Sequence, residues 1–172
     1  SHNKQVNDQS WVAEFLTKRH NHQMKTPQPS KLVHTSQDAI ILCLLTAAAV
    51  DGAPQDSEIA LIEAIANTSP ALAMKTTDEY RRMMEIGLAL IGGPDGLDTI
   101  FSLATLELSR RARATCFALV VEFIARNGKI TAEEMRFLDL LADHFKLNKL
   151  TRAAIEQAAR IRLDPLLDNT QI

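Results

Sequence analysis

Oxygen-bearing side chains recur in this chain at two matching places. Asp51 precedes Gly52 at the end of an apolar run, and Glu58 follows six residues after that glycine. Asn127, Gly128 and Glu134 repeat the arrangement at the same spacing. In the first copy Asp51, Asp56, Glu58 and Glu63 accumulate with no lysine or arginine between them, so like charges crowd one corner. A hard divalent cation would relieve that repulsion, and oxygen ligands suit Ca, Mg or Mn better than softer metals, with Zn as the outlying candidate. Asp51, Glu58, Asn127 and Glu134 are therefore the candidate metal ligands. The spacing is not that of an EF-hand, because the alternating acidic residues before the glycine are missing. The same residues have a purely structural use. An Asx-Gly pair is a good helix-terminating turn, and a Glu three residues after Thr131 completes a capping box. The spacing leaves both readings open.

Other groups with chemical potential carry less. His20 and His22 have no third ligand nearby in sequence, and His144 suits a helix C-terminus, where a cation complements the macrodipole. Arg110, Arg111 and Arg113 form a basic cluster without interleaved aromatics, which reads as a solvated helix face rather than a phosphate site. Cys43 and Cys116 sit inside apolar runs, where a free thiol behaves as a small hydrophobe and fits a reducing compartment. There is no glycine-rich phosphate loop, nucleophile elbow or Glu-x-x-His pair. The sequence shows no catalytic machinery, and the chain is expected not to be an enzyme.

The elements that must position these residues are helices. Of the 172 residues, 46% are hydrophobic but only 5% aromatic, and alternating strand-type runs are missing, so helix packed on helix is the expected core. Trp11, Val12, Phe15 and Leu16 predict a short amphipathic helix, and Pro27 and Pro29 mark a linker after it. Residues 39–50 are apolar except at Thr46, which predicts a central buried helix capped by Thr35 and Asp38. Helices are then expected from about Asp56 to Ser69, from Thr76 to Ile91, after the Gly92 to Gly96 break, through Cys116 to Ala125, from Thr131 to about Ala142, and from about Thr151 to Ile161. Sliding Ala49–Ala66 onto Ala125–Ala142 pairs Ala49 with Ala125, Gly52 with Gly128, Glu58 with Glu134 and Ala66 with Ala142. We read an all-α bundle of about seven helices containing a duplicated helical hairpin, with residues 1–30 as N-terminal helix and linker and 31–172 as the helical domain.

A net charge of −2 provides no field to attract nucleic acid, and no apolar stretch approaches the ~18 residues of a membrane span. A cytoplasmic location is expected, with a protein partner, in solution or membrane-associated, and neither nucleic-acid binding nor direct membrane insertion.

The segments Ala48 to Glu58 and Ala125 to Glu134 resemble the two halves of the tellurite-resistance TerB family, over about residues 36 to 147. That resemblance implies an all-α bundle of paired hairpins, acidic positions that chelate metal, and a place in a bacterial stress response. The acidic positions fall on Asp51 and Glu58 in the first half and on Asn127 and Glu134 in the second. Asn127 departs from the pattern, since an Asp is usual there and an amide oxygen is the weaker ligand. The expectation is a non-enzymatic TerB-like protein with a cation at the acidic bend. The alternative is a structural protein–protein interaction module with no metal.

Overall fold

The computed structural model describes residues 33, 35–72, 76–93, 95–126 and 130–164. The expected N-terminal helix around Trp11, the linker after it, and Asn127 with Gly128 lie outside these residues. Among the described residues there are seven α-helices and no strand, as the composition led us to expect.

The first helix, α1 (Ser36–Ala48), is opened by a reciprocal cap: Asp38 N–H donates to Thr35 Oγ1 at 3.1 Å, and Thr35 N–H donates to Asp38 Oδ2 at 3.0 Å. From Asp38 to Ala48 every residue is buried. A helix apolar on all faces must be wrapped on all faces, and α1 packs against α2 (Asp56–Thr68), α3 (Thr77–Ile91), α4 (Gly96–Glu107) and α5 (Arg110–Arg126). Near its C-terminal end the buried Thr46 donates its hydroxyl to Leu42 O at 2.7 Å, so its burial leaves no donor unmet.

Two further helices, α6 (Ala132–His144) and α7 (Lys149–Leu163), complete the bundle. The α3–α4 corner is tight enough to demand glycine: a Cβ on Gly96 would stand 2.3 Å from Leu90 O and 2.8 Å from Ile91 O. At the α4–α5 corner Arg113 donates to Leu108 O (3.1 Å) and Thr105 O (2.6 Å), which satisfies carbonyls left over at the end of α4.

The duplication extends further than the hairpin read from sequence. Helices α2 and α6 are both 13 residues long, and α3 and α7 are both 15. In the first copy α2 and α3 pack on α1; in the second, α6 and α7 pack on α5; and α1 and α5 pack on each other. The unit is thus a three-helix one. Aligning the helix caps Thr76 and Asn148 places Gly87 of α3 opposite Ala159 of α7, and both are buried small residues. A Cβ on Gly87 would meet the side chains of Leu42 and Leu45 on α1 at 3.1 Å, so small size is what lets α3 lie close to the central helix. Helix α4 joins the two copies and packs on α1, α3 and α6.

Candidate functional site

The two glutamates singled out by the repeat are both engaged at the start of their own helix. Gln55 N–H donates to Glu58 Oε2 at 2.7 Å, and Glu58 N–H is in turn accepted by the backbone carbonyl of Gln55 at 3.0 Å. Thr131 N–H donates to Glu134 Oε2 at 2.8 Å, while Glu134 N–H donates to Thr131 Oγ1 at 3.1 Å. Each carboxylate therefore serves orphan amide donors at the positive end of a helix macrodipole. Glu134 is only 6% exposed, and its hydrogen bond compensates for that burial.

Asp51 is exposed, beyond the α1 C-cap Ala49. Gly52, with φ of +156°, lies outside the compact left-handed region expected of a helix-terminating glycine; α1 has already unwound at Ala49, and the chain then runs out towards Gln55. Among the described residues no group of three or more His, Cys, Asp and Glu side chains stands together as a metal cage would require. Asn127, the fourth expected ligand, lies outside the described residues.

The Glu134 cap was legible as Thr131-x-x-Glu134, a standard capping box. That of Glu58 was not, because Gln55 is a weak N-cap type.

A second feature lies beside the first bend, and sequence reading missed it. A cleft of about 510 Å³ opens where the C-terminal end of α1 meets the α3–α4 corner and residues 132–140 of α6. Its walls are Ala49 and Val50 after α1, Ile91 at the end of α3, Leu97 on α4, and Ala132, Phe137 and Leu140 on α6, with Thr46, Glu133 and Arg136 as the polar contributors. Four carboxylates belong to the segments that form it: Glu133 in the wall, Asp51 next to Val50, and Asp95 and Asp98 flanking Leu97, all exposed. Arg136 is the one cation among the described lining residues.

The equivalent corner of the second copy is built from different chemistry. The alignment that carries Glu58 onto Glu134 carries Thr46 onto Glu122 and Val50 onto Arg126. There Glu122 accepts from Arg126 at 2.6 Å and is also paired with Arg162 of α7. One corner is bridged by ion pairs and the other is lined mainly with carbon.

The remaining candidates have structural work. His144 Nδ1 lies 2.9 Å from Leu140 O, and its ring packs on Phe101 with centroids 4.8 Å apart, which suits the last turn of α6 as expected. Arg113 is absorbed by the α4–α5 corner, while Arg110 and Arg111 are exposed, as a solvated face would be. Both cysteines are free and buried; burial, then contact with Cys43, pushes the Cys116 thiol up. His20 and His22 lie outside the described residues. Among the described residues no helix is long and apolar enough to cross a membrane.

No family model, no curated protein and no solved structure matches this chain.

Proposed function

We propose that this protein is a non-catalytic docking module whose cleft between α1, α4 and α6 receives an apolar anchor carried on a basic segment of a protein partner. The observation that supports this most is the contrast between the two copies: the position that is ion-paired in the second is, in the first, part of a mainly carbon-lined recess of about 510 Å³ with Glu133 in its wall. That volume falls within the range of sites that hold small molecules or large side chains. An amphipathic helix with anchors at i, i+3 or i+4, and i+7 fits such a groove, and lysines beside the anchors would face Asp51, Asp95, Asp98 and Glu133.

The second reading is TerB-like, with a divalent cation at Asp51 and Glu58. The exposed run of carboxylates through Asp51 and Asp56 favours it. It requires Glu58 to give up the amide of Gln55, held at 2.7 Å, or to share its oxygens between that amide and the metal. A stress-response role like that of TerB proteins is compatible with either reading.

The test is a titration of the full chain into a labelled peptide of Leu, Phe and Lys with helical anchor spacing, followed by anisotropy. Binding should saturate, weaken with salt as surface electrostatics are screened, and be lost in Val50→Lys, whose side chain is half-buried in the cleft wall. Leu150→Lys, on the exposed side of α7, should bind as the unaltered chain does. Equal binding by the Val50→Lys variant would overturn the reading.

A further inference from the structure

Resting on that docking reading, we propose that the cleft's resident occupant is the chain's own N-terminal segment, with Trp11, Val12, Phe15 and Leu16 as the apolar anchor, so that a partner must displace it.

The segment has the chemistry the cleft asks for. The spacing of Trp11, Val12, Phe15 and Leu16 would put them on one side of a helical turn and a half. From Thr17 to Leu32 the chain carries Lys18, Arg19, Lys25 and Lys31 and no acidic residue. The cleft presents the complement, a mainly apolar wall that includes Glu133, with Asp51, Asp95 and Asp98 exposed on the segments that form it. Glu14, the acid within the anchor, can meet Arg136, the cation of the wall.

The reach is sufficient. Val33 is 2% exposed, so the chain is held where it enters α1. From there the cleft lies at the far end of α1, about 20 Å away at 1.5 Å per residue over the helix Ser36–Ala48. The linker of residues 20–32 spans at most about 43 Å when extended, and Pro27 and Pro29 favour extension. Tethering at such a length supplies an effective concentration of the order of millimolar, so weak contacts suffice to keep the cleft filled.

Trp11 is the only tryptophan in the chain, which makes its emission a specific reporter of this segment. In the full chain its emission should be blue-shifted and shielded from acrylamide. Val50→Lys should move it to that of a water-exposed indole with helical content unchanged, whereas Leu150→Lys should leave it alone. A water-exposed emission in the unaltered chain overturns the proposal, as does a shielded emission that Val50→Lys does not move, because Trp11 would then sit elsewhere. A second readout separates this proposal from the docking reading. The Trp11→Ala, Phe15→Ala chain should bind the Leu/Phe/Lys peptide more tightly, by about tenfold if the cleft is open in a tenth of molecules. If both chains bind it equally and both lose it on Val50→Lys, docking stands and self-occupation falls.

Discussion

Thr46 and Glu122 occupy the same position in the two copies of the duplicated unit and do opposite things. Thr46 turns its hydroxyl back to Leu42 O of its own helix at 2.7 Å and leaves the surface above it to carbon. Glu122 reaches outward and binds both Arg126 and Arg162, tying α5 to α7. The duplicated fold is thereby asymmetric at one corner, and the cleft lies at the corner without these ion pairs. An ion pair there would fill the recess with hydrated charge; a threonine bonded to its own backbone makes no such demand.

Glu134 and Glu58 are helix caps in the first place, and their removal should be felt in stability. Glu134→Ala should lower stability by about 1–2 kcal/mol, equivalent to roughly 2–4 °C in Tm per kcal/mol for a chain of this size. Glu58→Ala, at a more exposed cap, should cost less. Thermal unfolding with and without chelator checks both. A Tm that falls on adding chelator to the unaltered chain, but not to an Asp51→Asn, Glu58→Gln double variant, would show that a cation shares these oxygens.

Tyr80 carries a second stability signature. Its hydroxyl is buried and has no partner among the described residues, and burial, followed by the charge on Glu63, pushes the phenol well above its ordinary value of 10.0. The folded state therefore holds the neutral form more strongly than the unfolded state does. That contribution is fully present below pH 10 and is lost progressively as pH rises above it. Tyr80→Phe should remove the alkaline loss and, by eliminating an unsatisfied buried hydroxyl, should be neutral to about 1 kcal/mol stabilising at pH 7. Denaturant unfolding at pH 7 and above pH 10 measures both effects.

Gly96 is held by contact rather than by an unusual φ. With Leu90 O 2.3 Å and Ile91 O 2.8 Å from any added Cβ, Gly96→Ala cannot be absorbed by moving a flexible side chain. The α3–α4 corner must open, at a cost of roughly 1–3 kcal/mol by analogy with other overpacked sites. Because Leu97 follows directly and lines the cleft, peptide binding should weaken in the same variant. Far-UV circular dichroism during urea unfolding gives the first effect, and anisotropy the second.

Much of this fold was legible because its signals are local. Thr35 with Asp38, Thr76 with Glu79 and Thr131 with Glu134 each announce a helix start within four residues, and each forms the cap that its spacing implies. Helix α1 was equally plain, since an apolar run without a polar face has nowhere to go but the centre. Other features were hidden by type or by distance. Gln55 is an unusual N-cap, so Glu58 read as a ligand before it read as a cap. The third helix of the repeat was concealed because Tyr80, Met84 and Leu88 on α3 correspond to Arg152, Glu156 and Arg160 on α7; the positions align while their chemistry does not. The charged set is employed in pairing Arg152 with Asp139 of α6 at 2.6 Å and with Glu156 at 2.7 Å. The cleft was invisible for a different reason: Val50, Leu97 and Leu140 belong to three elements whose meeting depends on how tightly Gly96 lets the chain turn.

The most direct test of docking at this corner is amide chemical-shift mapping of the full, isotope-labelled chain titrated with the Leu/Phe/Lys peptide. Perturbations centred on Val50, Leu97, Arg136 and Leu140 are the expected result. Perturbations confined to the exposed apolar residues of α7, such as Leu150 and Ile161, or none at saturating peptide, would contradict it.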